Sequence, residues 1–414
     1  MPSITHPEPD VSLNWDSFNR HLPLIFIRCV WMKIAYVHDA VYPFVKGGAE
    51  KRIYELSRRL VKRGHEVHVI GMRWWGKEPV IEREGVHLHG VCRAIKLYSG
   101  ERRSIRSAAK FAWRVFLYIS KERFDLIDCY QAPYLHFFPA RLGSVLKRSP
   151  FVVTWHEVWQ CYWNEYLGSL GVVGRLMEKM ILLGVAERVI AVSDQTRDDL
   201  VHLGVNPKKI SIVPNGIDYK RMQGLSPSKE DSDIFYLGRL IKPKNIDVLI
   251  RAVALLKEEF PDIRVNLVGD GPDRGSLEQL AKKLQVQKNI KFHGFIEDFD
   301  EVTALMKSSK LFVIPSTQEG GASIVAQEAN ASGLPVIAVD HPLGIDKRLV
   351  REGVNGFFVK LDPAALAEKM RLLLSHKRML KNVSLRSLDL AKKWDWDEVV
   401  DKLEKVYLCV RPHV

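Results

Sequence analysis

Four charged residues in the second half of the chain could together bind a phosphorylated sugar. Arg239 and Lys244 follow a predicted strand at 233–237, and ligands of parallel α/β sheets bind where strands end. A guanidinium and an ammonium group at that position suit a diphosphate. Glu319 and Glu328 could each accept hydrogen bonds from vicinal hydroxyls of a ribose or a hexose. Alternatively, the cations are ordinary solvated residues, Glu319 stabilises a helix dipole and Glu328 is solvated.

A run of small residues between the two glutamates predicts a phosphate-binding turn. A strand is predicted to end near residue 314, and a helix is predicted at 324–331. The first amides of a helix have no partner within it, so they can donate hydrogen bonds to a phosphate. The residues placed at this helix start are Gly320, Gly321, Ala322, Ser323 and Ile324.

Two features of the first half also lie where predicted strands end. Gly47 and Gly48 separate the first strand from its helix, which lets the backbone approach an anionic ligand at the helix N-terminus. Because the pair is not part of a G-x-G-x-x-G pattern, a flexible loop explains it more simply when it is taken alone. His156 follows a strand at 151–154, where it could be catalytic or a hydrogen-bonded structural histidine.

Strands and helices alternate from residue 32 onward. A strand at 33–38, a helix at 49–60 with apolar residues at helical spacing and a strand at 66–70 open the pattern. A strand at 125–128 should lead into a loop at 129–131. The pattern restarts at residue 233 after a polar stretch, and an amphipathic helix is expected at 246–260. This alternation predicts the α/β class, with parallel sheets covered on both faces. We therefore expect two Rossmann-like doubly wound domains that face a central cleft, which is the default ligand site.

The first thirty-one residues differ from the rest of the chain. Prolines and polar residues precede a short apolar patch, and a well-formed strand pattern begins only after Met32. We expect residues 1–31 to be either a disordered extension or a segment that precedes the true start at Met32.

Composition narrows the class of protein. The chain has 414 residues, of which 46% are hydrophobic and 27% charged, as in ordinary globular proteins. Its five scattered cysteines form no C-x-x-C pair, which argues against a disulfide framework and favours a cytoplasmic location. A formal net charge of +13 predicts an anionic ligand or surface. No apolar run reaches the roughly 20 residues that span a bilayer, and no nucleic-acid-binding module is visible.

A basic segment at 102–123 contains interleaved aromatic residues. Lys110 and Arg114 alternate with Phe111, Trp113 and Tyr118, which is typical of a helix that lies on a membrane surface. The alternative is a helix that buries its aromatic side chains in the first domain. The first interpretation predicts peripheral binding to the inner face of an anionic membrane and a lipid-linked acceptor.

The sequence Asp298-Phe299-Asp300 could bind a divalent cation. It also precedes a predicted helix at 302–306, where acidic residues favour the helix start. We expect the helix-capping role and no metal site.

Four stretches, taken in order, resemble the retaining glycosyltransferases of family 4, which have the GT-B fold. The resemblance covers nearly everything from residue 32 on, and the ordered set is far more specific than any one motif. The stretches are MKIAYVH at 32–38 with GGAE at 47–50, VPNGID at 213–218, GR at 238–239 with Lys244, and the segment 319–338 with its final GLPVIA.

The resemblance implies a UDP- or GDP-sugar donor and no cofactor. Arg239 and Lys244 would bind the donor diphosphate, Glu328 the ribose, and Glu319 the transferred sugar. His156 would lie near the transferred sugar as well. The donor-binding set would also include Gly47, Gly48, Gly320, Gly321, Ala322, Ser323 and Ile324. The acceptor would be a hydroxyl of a glycan, a lipid-linked sugar or a small molecule.

The resemblance also implies domain limits. The N-terminal, acceptor-side domain would span 32–215 and the C-terminal, nucleotide-sugar-binding domain 216–396. A helix at 397–414 would pack back on the first domain.

One departure from the family pattern concerns the two glutamates. Eight residues, 320–327, separate Glu319 from Glu328, whereas the family usually has seven. Either the turn absorbs the extra residue, or Gly320 occupies the position of the first glutamate. The irregular spacing keeps open a catalytically weakened sugar-nucleotide-binding protein. A nucleotide-sugar epimerase or hydrolase of the same fold, which lacks an acceptor site, is a separate alternative.

Overall fold

The first domain is built on an eight-stranded sheet. The structure, a computed structural model, describes residues 31–94, 98–99, 102–160, 162–319 and 323–410. The sheet order is β10-β9-β8-β7-β1-β2-β4-β3, parallel except for β3. Its strands are β1 (Lys33–Val37), β2 (Glu66–Arg73), β3 (Val80–Arg83), β4 (Val86–Arg93), β7 (Leu126–Tyr130), β8 (Phe151–Trp155), β9 (Arg188–Ala191) and β10 (Ile210–Ile212), and a separate hairpin joins β5 (Tyr98–Ser99) to β6 (Arg102–Arg103).

Helices cover both faces of this sheet. The helix α5 continues into one π-helical turn at Ile181–Val185. The helices are α1 (Gly48–Lys62), α2 (Ile105–Ile119), α3 (Phe137–Lys147), α4 (Tyr162–Leu167), α5 (Gly171–Met180) and α6 (Asp194–His202).

The second domain has a six-stranded, wholly parallel sheet in the order β13-β12-β11-β14-β15-β16. Its strands are β11 (Ser232–Leu237), β12 (Val265–Val268), β13 (Ile290–Gly294), β14 (Ser309–Ile314), β15 (Val336–Val339) and β16 (Gly356–Val359). Its helices are α7 (Tyr219–Gly224), α8 (Ile246–Leu256), α9 (Arg274–Lys283), α10 (Phe299–Lys307), α11 (Ile324–Ala331), α12 (Pro363–Ser375) and α13 (Lys377–Ala391), and α14 (Trp396–Val410) follows.

The prediction of two α/β domains with parallel sheets is confirmed. The central strands read as continuous apolar runs because helices cover both of their faces, and every residue of β7 and β8 is buried. Two predicted boundaries differ from the structure. The helix expected at 246–260 ends at Leu256, since Pro261 disfavours helical backbone in the residue before it. The loop expected at 129–131 is strand as far as Tyr130, which is buried and pairs with Thr154.

The chain crosses between the domains twice at one place. Where the chain enters the second domain, the amide of Ile217 donates to the carbonyl of Trp394. Where it leaves that domain, the amide of Trp396 donates to the carbonyl of Ile217. The side chain of Trp396 packs against Gly216, where a Cβ atom would lie 2.3 Å from the indole ring. These adjacent crossings form a compact hinge.

The helix α14 lies on the first domain after the second crossing. Its buried side chains, among them Leu403 and Tyr407, join the core around β1 and α1. The Tyr407 hydroxyl donates a hydrogen bond to Asp128 Oδ2 at 2.7 Å, and Thr154 Oγ1 donates to the same carboxylate at 2.8 Å. The chain terminus is thereby tied to the two strands that lead to the cleft. The proposed extension at 1–31, apart from Trp31, and the last four residues lie outside the described residues.

Candidate active site

Lys244 and Glu319 meet at the strand ends of the second domain. The Lys244 ammonium lies 2.5 Å from Glu319 Oε1 and 3.3 Å from the carbonyl of Gln318. Asn245 holds the two loops together, since its Nδ2 donates to the carbonyl of Pro315 at 3.0 Å and to Thr317 Oγ1 at 3.2 Å. The sequence alone predicted that Lys244 and Glu319 both bind the sugar donor, and in the structure the two side chains are in contact.

Arg239 extends into solvent from the loop that follows β11. This loop is fixed by a very close approach of the loop after β12. Gly269 has φ +132°, and a Cβ atom there would lie 1.9 Å from the carbonyl oxygen of Gly238, so only glycine fits. The guanidinium of Arg239 is thus carried on a rigid turn next to the Lys244 loop.

Glu328 lies on α11 and is 9% exposed. Burial raises the pKa of its carboxyl group, while the charge of Lys51 on α1 acts in the opposite direction. Lys51 belongs to the first domain, so Glu328 faces the cleft side of α1. Ser323 is the N-cap residue of α11 and Ile324 its first helical residue. The remaining predicted turn residues, Gly320, Gly321 and Ala322, lie outside the described residues.

The glycine pair of the first domain forms the start of α1. Gly47 is the N-cap residue in extended conformation, and Gly48 is the first helical residue. A Cβ atom on Gly48 would meet nothing within 4 Å, so its outer side is open. Glu50, in the first helical turn, lies 3.1 Å from Nε2 of His38, whose Nδ1 lies 3.1 Å from the carbonyl of Ala132. Because a carbonyl only accepts, Nδ1 carries a proton and Nε2 faces the Glu50 carboxyl.

His156 lies in the same wall as His38 and Glu50, and all three line one cavity. Its backbone is held by Gln131 Oε1, which accepts from the His156 amide at 2.9 Å, and by Thr196 Oγ1, which donates to the His156 carbonyl at 2.8 Å. Burial lowers the pKa of the imidazole to about 3, so the ring is neutral at physiological pH. Its Nε2 is buried and has no hydrogen-bond partner among the described residues.

Several contacts cross from one domain to the other. Arg348 Nη1 lies 2.7 Å from Asp198 on α6, and Asp346 Oδ2 accepts from the amide of Gln195 at 2.9 Å. The ammonium of Lys51 lies 5.2 Å from the centre of the Phe299 ring. The two walls are therefore held close enough to bind one ligand between them.

Asp298 and Asp300 act as helix-start residues. Asp298 Oδ1 accepts from the amide of Asp300 at 3.0 Å, and Asp300 Oδ1 lies 2.9 Å from Arg221 Nε. Across the described ranges, histidine, cysteine, aspartate and glutamate side chains form no group of three that could hold a metal ion.

The basic segment at 102–123 forms α2 and divides its aromatic side chains between core and solvent. Phe111 is fully buried, while Trp113 is 59% and Ile105 71% exposed. Lys110 and Arg114 are exposed beside Trp113. Burial of an aromatic side chain in the first domain, the alternative interpretation, is therefore observed for Phe111, while Trp113 is exposed. No helix in the described parts of the chain is long and apolar enough to span a membrane.

Four residues of the candidate site were not predicted from the sequence: His38, Glu50, Gln131 and Asn245. His38 directly follows β1 and Gln131 directly follows β7, so the strand-end rule that found His156 could have found both. The role of Asn245 depends on a left-handed backbone, φ +48°, which a sequence signals only weakly.

Two family models cover most of the chain. Residues 46–221 match the model described as Glycosyltransferase Family 4, and residues 220–387 match the model described as Glycosyl transferases group 1. Solved glycosyltransferase structures share the arrangement of two parallel-sheet domains. The chain therefore belongs to the GT-B glycosyltransferases of family 4. It is a transferase enzyme.

Individual relatives are similar over nearly their whole length. An uncharacterized glycosyltransferase of Methanocaldococcus jannaschii is 27% identical over 407 residues, 91% of this chain and 98% of the relative. The phosphatidyl-myo-inositol mannosyltransferase of Mycobacterium tuberculosis is 26% identical, with 88% and 94% of the two chains covered. The structure of Anabaena HepE in complex with UDP superposes with a TM-score of 0.69 at 19% identity, over 91% of this chain and all of that one.

Proposed function

We propose that this protein is a retaining glycosyltransferase that transfers a hexose from a UDP- or GDP-sugar to an acceptor hydroxyl without a metal ion. The observation that carries the proposal is the Lys244–Glu319 pair, 2.5 Å apart at the strand ends of the second domain. This pair places a cation that suits phosphate next to a carboxylate that suits sugar hydroxyls. The UDP complex of the similar HepE structure supports a nucleotide-sugar donor.

The donor would lie along the second domain. Its diphosphate would bind Arg239, Lys244 and the amides at the start of α11, and its ribose hydroxyls would bind Glu328. These groups neutralise the negative charge that grows on the leaving diphosphate as the anomeric bond breaks. The amides at Gly47 and Gly48 would contact the same diphosphate from the first domain. Glu319 would contact the transferred hexose once the diphosphate competes for Lys244.

His156 would act on the transferred sugar as a neutral hydrogen-bonding group. The Gln131 and Thr196 contacts hold its backbone, and its Nε2 has no hydrogen-bond partner among the described residues. An acceptor hydroxyl would approach from the wall that contains His38 and Glu50. As the bond from the anomeric carbon to the diphosphate breaks, the new bond forms on the face that the nucleotide leaves, which preserves the configuration. The proton of the acceptor hydroxyl passes to the departing diphosphate.

The acceptor would be a glycan, a lipid-linked sugar or a small molecule. The phosphatidyl-myo-inositol mannosyltransferase among the relatives and the exposed Trp113, Lys110 and Arg114 on α2 favour an acceptor that is reached at a membrane. We propose a cytoplasmic protein that binds the inner, anionic face of the membrane peripherally. The relatives named above are transferases, so an epimerase, a hydrolase or a weakened binding protein is not favoured.

Release of UDP or GDP tests this proposal. Purified protein is incubated with UDP-glucose, UDP-N-acetylglucosamine or GDP-mannose, with a detergent-dispersed polar lipid extract as acceptor source and excess EDTA. We expect nucleotide release that requires the extract, survives EDTA and is lost in Lys244→Ala but not in Lys242→Ala, which removes an exposed lysine from the same turn. Release that does not need the extract would indicate a hydrolase. Loss in EDTA that magnesium or manganese restores would overturn metal independence.

A further inference from the structure

A cavity of about 670 Å³ extends from the His156 wall of the cleft to the outer surface of the first domain. At its inner end lie His38, Glu50 and His156. Its outer part is lined by Trp159, Trp163, Tyr166, Leu170, Val173 and Met177. One end therefore offers polar groups to hydroxyls, and the other offers a mainly hydrocarbon and aromatic surface, with Glu157 beside Trp159. Its volume is in the range of pockets for small organic ligands.

The aromatic wall presents ring faces because its polar atoms are already bonded. Trp159 Nε1 donates to Glu157 Oε1 at 2.7 Å, and Trp163 Nε1 donates to Glu178 Oε2 at 3.2 Å. Glu178 is 1% exposed, and it also accepts from the amide of Trp159 at 3.1 Å. The buried carboxyl thus fixes the Trp163 indole and the backbone of Trp159. The centres of the two indole rings lie 4.8 Å apart. Such a wall binds an apolar ligand without leaving a polar group unpaired.

The helix α5 carries a second apolar surface beside this cavity. Val173 and Met177 line the cavity. Val172, Leu176 and Met180 do not line it; they recur at four-residue spacing and are 59%, 56% and 47% exposed. We call these three residues the outer stripe. Exposed apolar side chains in such a row mark an interaction surface.

Basic residues accompany the outer stripe. Arg175 and Lys179 lie within the same helix, and Lys179 is exposed. Ile105, at the start of α2, is 71% exposed and also lines the cavity, so the cavity mouth adjoins the exposed basic face of α2. Apolar side chains next to cations match the interior and the anionic surface of a bilayer.

We propose that this cavity binds the hydrocarbon tail of a membrane-lipid acceptor, with the tail held by the aromatic wall and the hydroxyl placed at His156 and Glu50. The inference rests on the proposed function and specifies its acceptor class. The tail enters at Val173 from the bilayer on which the outer stripe lies. The sugar donor remains on the second domain, so donor and lipid approach from opposite sides of the cleft.

Binding of a dansyl-labelled undecanoic acid to the full chain, without detergent, tests the proposal. We expect saturable binding that decyl glucoside displaces, at concentrations below those at which it forms micelles, and that methyl glucoside does not, since the two differ only in the tail. Val173→Asp should weaken probe binding by about tenfold or more, because it places a charge against the hydrocarbon. Val172→Asp, with the same 59% exposure on the same helix, should leave the affinity within about twofold since its side chain points outward.

Equal effects of the two substitutions, non-saturable binding, or displacement by methyl glucoside would overturn the proposal. If Val173→Asp does not fold, Leu170→Asp serves in its place, since Leu170 lines the same mouth and is 62% exposed. Stabilisation by UDP and GDP is measured on the same samples. Nucleotide stabilisation without probe binding refutes the lipid site alone, whereas probe binding without nucleotide stabilisation refutes the glycosyltransferase proposal and leaves the lipid site.

Discussion

The ammonium group of Lys244 lies 2.5 Å from the carboxylate of Glu319, and both side chains are largely buried, with exposures of 20% and 9%. A group suited to phosphate and a group suited to sugar hydroxyls therefore neutralise each other. A nucleoside diphosphate that binds Lys244 must compete with Glu319. Binding of a diphosphate at Lys244 would therefore release the Glu319 carboxylate, which could then bind the sugar.

Glu319→Gln tests this coupling. We expect UDP or GDP to bind at least as tightly as to the wild type, because Lys244 loses its competing counter-charge. Turnover should fall by about 100-fold, the usual effect of removing a charged contact to the reacting sugar. Calorimetric titration with the nucleotide and the rate of its release from the donor measure the two effects. Glu258→Gln, at an exposed position after α8, is the control, and weaker nucleotide binding with unchanged turnover would contradict the coupling.

His156 should contribute to turnover without titrating in the active pH range. Burial lowers its pKa to about 3, so the ring stays neutral from about pH 5 upward. His156→Ala should lower turnover by about 10- to 100-fold through the lost hydrogen bond and leave the shape of the pH–rate profile unchanged. A wild-type inflection near the ordinary histidine pKa that disappears in the variant would contradict this role.

The lowered pKa of His156 also makes the free energy of unfolding depend on pH. The histidine of the unfolded chain binds a proton near pH 6.5, whereas the folded one does so only near pH 3. Above pH 6.5 the ring is neutral in both states and the difference has no effect. As the pH falls from about 6.5 to about 3, the unfolded state binds more protons and folding becomes less favourable. The melting temperature of His156→Ala should therefore depend less on pH in that interval than that of the wild type.

Tyr407→Phe should destabilise the protein more at neutral than at acidic pH. Burial raises the pKa of Asp128 to about 6, so folding becomes less favourable as the pH rises from about 4 to about 6 and the carboxyl must ionise in the core. The Tyr407 hydroxyl donates to this carboxylate at 2.7 Å and favours its ionised form. Its removal should cost about 1.5–3 kcal/mol above pH 6 and less near pH 4.

Thermal unfolding at the two pH values measures this difference. Tyr36→Phe is the matched control. Tyr36 is also buried, and its hydroxyl oxygen lies 3.1 Å from that of Tyr407, but no hydrogen bond joins it to Asp128 in the described network. An equal loss of stability at both pH values in Tyr407→Phe would show that the hydroxyl acts on packing and not on the charge of Asp128.

Membrane binding should depend on the exposed cations of α2. Vesicles that contain anionic lipid should sediment the protein at low salt and release it at high salt, because ionic strength screens the attraction. Lys110→Glu combined with Arg114→Glu should abolish sedimentation. The control is Lys381→Glu combined with Arg378→Glu on α13 of the second domain, which changes the net charge equally. Sedimentation that both double variants lose equally would assign the binding to net charge alone.

The sequence was sufficient for the fold because the strands of both sheets are buried on two faces. Their apolar runs, such as 151–155, and the glycines at helix starts give local signals that need no knowledge of distant contacts. The predicted strands also placed Arg239 and His156 directly after strand ends, where ligands bind in parallel sheets. The helix end predicted at Phe260 was wrong because a proline follows that residue. The loop predicted at Tyr130 was wrong because this buried residue pairs with a neighbouring strand.

The contacts that organise the site could not be predicted, because they join positions far apart in the chain. Lys244 and Glu319 are 75 residues apart, and Tyr407 and Asp128 are 279 apart. The cavity beside His156 arises from the packing of α2, α4 and α5, and aromatic residues in a sequence do not reveal whether their rings fill a core or line a space. Only the three-dimensional arrangement decides between these possibilities.

Thermal stabilisation by nucleotide sugars tests the central claim most directly. UDP- and GDP-sugars are each added to the wild type, to Glu328→Ala and to Glu352→Ala, an exposed glutamate of the same domain. We expect one nucleotide class to raise the melting temperature of the wild type and of Glu352→Ala but not of Glu328→Ala, because only Glu328 would bind the ribose. No stabilisation of the wild type by any nucleotide sugar, or equal stabilisation of all three proteins, would contradict the donor site described above.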